Sequence, residues 1–421
     1  MKSPKSYLLT YTLIFFLVGF VVMMIAKPHR RGLFSPSYWQ NLSQYGEAML
    51  LINHYHIEED KTGYEALTDD ALGLMIGNLD PYSQFMDEDA FNDFEMRTDQ
   101  HYAGIGAEIE RMDSRVTLIG IFDGSPAQQA GLKVGDEIVR IGEEDAQNLS
   151  VVETAQTLRG PVGTEATLTI YRPGERREFA YTLERQKIDT PTIREVAVDA
   201  DDVGYLKVSH FGRNTGQEFA QALDLLEDGG MRALIIDLRG NPGGLLSEAI
   251  AMVSEFTLPG QIVVTTRDGE GNILREARAK GKGPRKAYPI AILMNPGSAS
   301  ASEIVAGAMQ DLGKAIVVGD VSLGKGSVQS IHEIGDGDGL RLTTAMYFLP
   351  SGRTIHQTGV VPDIVVDLST AEQIDLRLHR SRLRLMDEDA FTARFGFEPV
   401  HDTQLERAHR SLLGALAFEP S

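Results

Sequence analysis

The chain has 421 residues, enough for two or three domains that each bury a core of their own. Its 60 acidic and 40 basic side chains give a formal net charge of −20, and no basic patch is evident, which argues against nucleic acid as a partner. Because the chain has no cysteine, disulfides, thiolate metal sites and a cysteine nucleophile are excluded.

An uncharged apolar stretch of 20 residues lies near the N-terminus, YLLTYTLIFFLVGFVVMMIA at 7–26. A helix of this length, rising about 1.5 Å per residue, can cross a bilayer. No Ala-x-Ala cleavage site follows it. We therefore predict a retained membrane anchor within residues 1–31, with a cleaved signal peptide as the alternative. Basic residues flank the stretch on both sides, so the charge rule hardly selects an orientation.

Residues 32–97 are expected to be helical. Apolar residues recur at helical spacing from Leu42 to Ile52, and Thr68 is a candidate N-cap for a second helix that ends at Leu79. An Asp-Pro pair then breaks the chain before a short acidic helix. This part of the sequence carries no catalytic pattern of its own.

Residues 98–187 change character, because short β-rich runs alternate with glycine turns, as at Val116–Phe122, Glu137–Ile141 and Ala166–Tyr171. A glycine-rich loop opens the region, but it lacks the third glycine of a dinucleotide fingerprint, since position 109 is isoleucine. Together with a short helix closed by glycine at 125–136, this arrangement resembles a PDZ domain. Such a domain holds a terminal carboxylate in its glycine loop while the peptide adds a strand to the sheet edge.

The PDZ resemblance implies a peptide-binding loop. The alternative is that its glycines only make turns. The residues of the loop are Tyr102, Ala103, Gly104, Ile105, Gly106 and Ala107.

Residues 188–370 alternate strands and helices. An apolar strand at 233–237 runs into the glycine turn LRGNPGGLL and then a helix at 247–256, a geometry that aims backbone N–H groups outward. Asp237 is a candidate triad acid, although pairing of this strand-end carboxylate with a backbone group or with Arg239 is the favoured interpretation. His210, the nearest histidine, follows a strand and is expected to be structural.

The segment 290–329 has the sequence IAILMNPGSASASEIVAGAMQDLGKAIVVGDVSLGKGSVQ. It predicts a buried strand at Ile290–Met294, a tight turn, a helix whose apolar residues recur at helical spacing, and a second strand at Ala315–Val318. Ser298, Ser300 and Ser302 are expected at or just before the helix N-terminus. Unpaired N–H groups there can stabilise an oxyanion. By local rules alone, Ser300 and Glu303 also fit a capping box. Lys325 lies between glycines, and a lysine in such a crowded site can lose its charge and act as a base.

This segment resembles the active-site segment of the carboxyl-terminal processing, or tail-specific, proteases, which are serine peptidases with a lysine base. The resemblance extends from about Leu79 to Asp367. It implies Ser300 as the nucleophile, Lys325 as the general base and Gln329 as the residue that orients the lysine.

The same resemblance implies an oxyanion hole formed by the backbone N–H groups of Gly244 and Ala301. Arg159 matches an arginine that is often found in the family and is a candidate for coupling the PDZ domain to the protease. A solvated surface arginine is the alternative. We expect neither a metal ion nor a cofactor.

The expected protein is multi-domain α+β, with a transmembrane helix, a helical segment, a PDZ domain, a mixed α/β protease core of the crotonase-like ββα type, and C-terminal helices at 371–421. It would be a serine endopeptidase that cleaves proteins with apolar C-terminal tails. It would be anchored in the bacterial inner membrane with the protease domain in the periplasm. Further candidate partners are an adaptor or activator protein and a second copy of the chain.

Two other functions are weighed. Residues 319–325 satisfy most of the phosphate-loop pattern of P-loop NTPases, but Gly326 stands where Ser or Thr should hold magnesium, and the residues after it have the pattern of a strand. The other alternative is a catalytically silent, membrane-anchored PDZ scaffold. Cleavage assays with Ser300 and Lys325 variants distinguish the scaffold from the protease.

Overall fold

The computed structural model describes residues 35–98, 101–112, 115–189, 191–281, 283–335, 337–369, 371–373, 375–376 and 400–418. The predicted membrane anchor lies outside these residues. Within them, no helix has the length and hydropathy needed to cross a membrane. The chain divides into two compact units, Met1–Phe85 and Met86–Ser421.

The described part of the first unit is mainly helical, as expected, with α1 at Pro36–Tyr55 and α2 at Tyr64–Gly77, although Gln84 and Phe85 at its end belong to a strand. The prediction that Thr68 caps the second helix is wrong. Thr68 lies inside α2, where its hydroxyl donates to the Tyr64 carbonyl at 2.7 Å, and the N-cap position belongs to Gly63. A threonine within a helix can bond back to the preceding turn in this way, so its presence alone does not mark a helix start.

A β-rich region follows strand β1 (Gln84–Met86) and helix α3 (Glu88–Thr98). Its elements are β2 His101–Gly104, β3 Ala107–Met112, β4 Arg115–Ile121, α4 Pro126–Gln129, β5 Glu137–Ile141, β6 Glu144–Asp145, α5 Val151–Leu158, β7 Glu165–Arg172, β8 Arg177–Glu184 and β9 Gln186–Asp189. The sheet order is β3-β4-β5-β7-β8, with β6 beside β5, and all pairs are antiparallel. Strand β3 is thus an edge strand, and α5 packs beside it.

The second β-containing region has a mostly parallel sheet and several helices. Its elements are β10 Ile193–Val198, β11 Val203–Val208, α6 Thr215–Asp228, β12 Ala233–Asp237, α7 Leu246–Ser254, β13 Ile262–Arg267, β14 Ile273–Arg278, β15 Ile290–Met294, α8 Ala301–Asp311, β16 Ile316–Gly319, β17 Ser327–Ile334, β18 Asp338–Phe348, β19 Ile364–Val365 and α9 Thr403–Ala417. The main sheet has the order β10-β11-β12-β15-β16-β19, and only β10 runs antiparallel. A smaller antiparallel sheet contains β17, β18, β13 and β14.

Helices cover both faces of the main sheet. Every residue of β12 and β15 is buried, as expected for central parallel strands with an apolar run. Alternate side chains point to opposite faces, so Leu234 and Ile236 pack under α6, α7 and α8, while Ala233 and Ile235 pack under α9. The apolar stripe of α9 is therefore a packing face.

The carboxyl ends of β11, β12 and β15 lie at one edge of the sheet because these strands are parallel neighbours. The glycine turn (238–245), which follows β12, and the serine turn (295–300), which follows β15, therefore emerge side by side. In open α/β sheets this edge is where ligands commonly bind.

Candidate active site

Ser300 occupies a strained turn between β15 and α8. It is the N-cap residue of α8, and its φ of 55° and ψ of −113° are unusual for a residue other than glycine. Backbone strain of this kind occurs where a nucleophile is held on a sharp strand-to-helix turn. Ser300 is half-buried, whereas Ala301 to Met309 of α8 are buried.

The structure distinguishes among the three serines that the sequence left as candidates. Ser298 and Ser302 are fully buried, and their hydroxyls donate to the backbone carbonyls of Leu238 at 2.8 Å and Asn241 at 3.0 Å. Both are therefore occupied in joining the serine turn to the glycine turn. Ser300 is the one of the three that retains access from solvent.

The glycine turn packs directly against this serine turn. A Cβ atom on Gly243 would lie 2.8 Å from Ser300 Cβ and 3.0 Å from Ala301 N, so only glycine fits there. A Cβ atom on Gly244 would lie 2.1 Å from the Phe211 carbonyl oxygen. Among the hydrogen bonds of the described residues, the backbone N–H groups of Gly244 and Ala301 have no protein acceptor. Each of the two packed turns thus has one backbone donor that could serve a negatively charged oxygen.

Glu303 connects the serine turn to the lysine loop, residues 320–326, which carries Lys325. This carboxylate is fully buried, and its Oε2 accepts from the backbone N–H groups of Ser300 at 2.7 Å and Lys325 at 2.9 Å. Its Oε1 accepts from Gly324 N–H at 2.7 Å and the Ser322 hydroxyl at 2.5 Å. Four donors are the pattern of an ionised carboxylate. The amides of Ser300 and Lys325 therefore share one acceptor oxygen.

Lys325 is half-buried in this loop. Burial lowers the pKa of its amine, the positive charge of Arg341 lowers it further, and the Glu303 carboxylate acts in the opposite direction. A lowered pKa increases the neutral fraction of the amine, which is the form that can accept a proton.

Gln329 lies on β17, opposite Thr343 of β18. Its amide nitrogen donates to the Ser327 hydroxyl at 2.9 Å and is 3.4 Å from the Thr343 hydroxyl. These contacts use the two amide hydrogens, so the amide oxygen keeps its capacity to accept from an amine.

The described chain after Lys325 continues as β17 and not as a helix. A P-loop requires a helix at this point, because the helix N-terminus helps to hold the phosphates. The phosphate-loop alternative is therefore excluded, in agreement with the sequence analysis.

Asp237 pairs with Arg239, as favoured from the sequence. The Asp237 carboxylate is fully buried and accepts from Arg239 Nε at 3.0 Å, Arg239 Nη2 at 2.7 Å and the Tyr205 hydroxyl at 2.8 Å. His210 lies 3.2 Å from the Ser209 hydroxyl through Nδ1, and its pKa is lowered by burial and by the charge of Arg194. These contacts give both residues local partners outside any triad.

The candidate peptide-binding loop runs from β2 into β3. Gly106 has φ of 77°, and a Cβ atom there would lie 2.2 Å from Ser125 Cβ, so the loop requires glycine at this point. The Ile105 carbonyl accepts from Ala127 N–H at 2.9 Å, which fixes the loop to the start of α4. Strand β3 is at the edge of its sheet and α5 packs beside it, the arrangement in which a PDZ domain receives an added peptide strand.

The remaining loop residues have defined backbone partners. Tyr102, Ala103 and Gly104 pair with β9, while Ala107 begins β3. Arg159 is the C-cap residue of α5, and the next residue, Gly160, donates its N–H to the Ala103 carbonyl at 3.2 Å. Arg159 thus directly precedes Gly160, the residue that bonds to the candidate peptide-binding loop.

Sequence reasoning identified Glu303 only as part of a capping box. The structure retains that feature, but the three other donors come from residues 19 to 22 positions later in the chain. The sequence contained a signal for this wider role of Glu303. The Ser-x-x-Glu pattern is followed in the chain by the glycine-rich loop around Lys325, whose backbone N–H groups need acceptors.

Known proteins share both the sequence pattern and the fold. The sequence matches peptidase family S41 over residues 202–366 and the PDZ domain over residues 103–183. It is 34% identical over 387 residues to a carboxy-terminal-processing protease of Bartonella bacilliformis, covering 86% of this chain and 88% of that protein. It is 35% identical over 323 residues to the carboxy-terminal processing protease CtpB of Bacillus subtilis, covering 76% of this chain and 66% of that protein.

Among solved structures, a putative S41 protease from Bacteroides fragilis has the same fold, with a TM-score of 0.50 at 14% identity over 88% of this chain and 97% of that one. The chain therefore belongs to the carboxy-terminal processing serine proteases of peptidase family S41 and carries a PDZ domain ahead of its protease domain.

Proposed function

We propose that this protein is a serine endopeptidase in which Ser300 is the nucleophile and Lys325 the general base. The observation that carries the proposal is the strained turn at Ser300, which lies beside two acceptor-free N–H groups and shares the Glu303 carboxylate with the lysine loop.

The proposed mechanism begins with a neutral lysine. An ordinary lysine has a pKa of about 10.4 and is almost wholly protonated at neutral pH. Burial lowers the pKa of Lys325 and so increases the fraction of the amine that can act as a base. The amine takes the Ser300 proton as Oγ attacks a peptide carbonyl, and Gly244 and Ala301 stabilise the resulting oxyanion. The protonated amine then donates to the leaving nitrogen, and water releases the acyl group in a second step. Gln329 would hold the lysine amine through its amide oxygen.

Substrates would be proteins with apolar C-terminal tails. The tail would add a strand at the edge of β3, and its carboxylate would be held by the loop at 102–107. Arg159, at the end of α5 and next to a loop contact, is the residue proposed to couple tail binding to the protease. An adaptor or activator protein would be a further partner, which activates the protease together with tail binding or in place of it.

The decisive experiment compares the full chain in detergent with Ser300→Ala and Lys325→Met, using an unfolded protein with an apolar tail. A substrate ending in two aspartates is the matched control for tail recognition. Cleavage by the parent and by neither variant supports the proposal. Cleavage that persists in Ser300→Ala would overturn the nucleophile assignment, and tail binding without any cleavage would favour the silent scaffold.

We also propose that residues 7–26 anchor the protein in the inner membrane with the protease domain in the periplasm, and that copies of the chain associate with one another. Resistance to alkaline extraction and accessibility to external protease in spheroplasts test the anchor and its orientation. Sedimentation of the detergent-solubilised chain tests self-association, and a monomeric profile at all concentrations would exclude it.

A further inference from the structure

Helix α9, far from the catalytic segment in sequence, contacts the residue that begins the glycine turn. Its N-cap residue, Asp402, receives two hydrogen bonds from Arg239, Nη1 to Oδ1 at 2.8 Å and Nη2 to Oδ2 at 2.9 Å. Gln404 Oε1 accepts from the same Nη1 at 3.2 Å. Arg239 is 8% exposed and Gln404 is 1% exposed, so solvent has little access to these contacts.

The Arg239 guanidinium has five N–H donors, which bond to acceptors on two elements, β12 and α9. Nε and one Nη2 hydrogen go to Asp237, at the end of β12. The other Nη2 hydrogen and both Nη1 hydrogens go to Asp402 and Gln404 on α9. Three of the five donors of a buried cation therefore depend on α9.

The position of Arg239 in the chain connects this cluster to the proposed oxyanion hole. The next residue, Gly240, donates its N–H to Asn295 Oδ1 at 2.8 Å, which ties the start of the glycine turn to the start of the serine turn. Gly244 follows four residues later. If the α9 acceptors were lost, the guanidinium would retain buried donors without partners, and it would have to move toward water to satisfy them. That movement would displace Gly240 and the turn beyond it.

We propose that Asp402 and Gln404 are positioning residues, and that α9 holds the oxyanion turn in place through Arg239. This inference rests on the proposed serine peptidase function. It assigns the C-terminal helix a part in catalysis in addition to covering one face of the main sheet.

The test uses Asp402→Asn in the full chain. Asparagine is a good N-cap, so α9 keeps its capped start, but the amide places a donor opposite the guanidinium and breaks the two-pronged ion pair. Loss of an oxyanion donor lowers kcat by about 10²–10³-fold, so a displaced donor is expected to lower kcat by about tenfold with little change in KM. Gln404→Met should act in the same direction with a smaller effect.

His409→Gln is the matched control. His409 Nε2 lies 2.8 Å from Asp199 Oδ2 and forms a second polar attachment of α9 to the core, without contact to Arg239 in the described structure. A merely structural role for α9 predicts similar loss of kcat in both variants at equal thermal stability. A positioning role through Arg239 predicts that kcat falls only in Asp402→Asn and Gln404→Met.

Hydrogen exchange provides a readout that does not require activity. In Asp402→Asn, the peptide that covers 239–245 should exchange faster than in the parent, and in His409→Gln it should not. Unchanged exchange at 239–245 would overturn the inference, whether or not the parent cleaves peptides. Faster exchange with a parent that has no peptidase activity would leave the positioning of the turn supported and contradict the proposed function instead.

Discussion

Replacing Glu303 with glutamine tests how the serine turn and the lysine loop are held together. Glutamine has nearly the same shape, but only one of its two terminal atoms can accept hydrogen bonds. The amide oxygen can replace Oε2 and keep the bonds from the Ser300 and Lys325 N–H groups. Its NH2 group then faces the Ser322 hydroxyl, which can rotate to accept, and the Gly324 N–H, which cannot.

The expected destabilisation follows from these contacts. Each hydrogen bond to a charged group contributes about 1.5–3 kcal/mol, and a buried donor without a partner costs about 1–3 kcal/mol. Since one donor is orphaned and the remaining bonds lose their charge assistance, the free energy of unfolding should fall by about 2–4 kcal/mol. The serine turn and the lysine loop should loosen as well, and kcat should fall by about 10²-fold if these segments carry the catalytic residues as proposed.

The same substitution should shift the pH profile in a defined direction. The Glu303 charge raises the pKa of Lys325, so its removal should lower that pKa further. Lysine must be neutral to act as the base, and the acidic limb of the kcat/KM profile reports its pKa in the free enzyme. The limb should therefore move to lower pH although the plateau falls. Hydrolysis of a fluorogenic peptide across the pH range, with enzyme concentration corrected for the folded fraction, measures both effects.

Glu218→Gln is the matched control, because Glu218 Oε2 also accepts backbone N–H bonds, from Thr192 at 2.7 Å and Ile193 at 3.2 Å, and both donors lie outside the serine turn and the lysine loop. This variant should lose stability but keep kcat and the position of the acidic limb. If Glu303→Gln retained the parent kcat, or if its acidic limb moved to higher pH, the reasoning from the shared carboxylate would be refuted.

Three other substitutions have defined outcomes. Gly243→Ala should abolish peptide hydrolysis, because the added Cβ would collide with the serine turn. Gly271→Ala is the control, since Gly271 has a similar φ but open space around it, and this variant should lose only stability. Equal kcat values in the two variants would contradict the close approach of the two turns. Arg341→Gln should raise the pKa of Lys325 and move the acidic limb to higher pH, and an unmoved limb in the pH–rate profile would exclude this charge effect. Gly106→Ala should weaken binding of tail peptides measured by calorimetry, and unaltered affinity would rule out this loop as the carboxylate site.

Much of the fold could be predicted from local patterns. The strands at Glu137–Ile141, Ala233–Asp237 and Ile290–Met294 have the predicted bounds, because each is an apolar or alternating run between strong turn signals. The helix after the serine turn was also predicted from its apolar spacing. Short-range rules work at these positions because burial and local propensity favour the same structure.

The contacts that organise the site could not be read from the sequence in the same way. Arg239 and Asp402 are 163 residues apart, and nothing near either residue indicates the other. The pairing exists because α9 covers the face of the sheet from which β12 leads into the glycine turn, and that arrangement depends on packing of the whole sheet. Glu303 is similar, since its capping role is local while its other partners come from a loop beyond the next strand.

The most direct measurement is to trap the nucleophile as a covalent phosphonate ester, formed with loss of fluoride from the reagent, and to locate it in the chain. The full-length protein would be treated with a fluorophosphonate and digested, and the modified residue would be identified by mass spectrometry. We predict a single adduct on Ser300 in the parent and greatly slowed labelling in Lys325→Met, because the hydroxyl then lacks its base. An adduct on another residue, or peptide cleavage that continues with Ser300 fully modified, would contradict the assignment of the nucleophile.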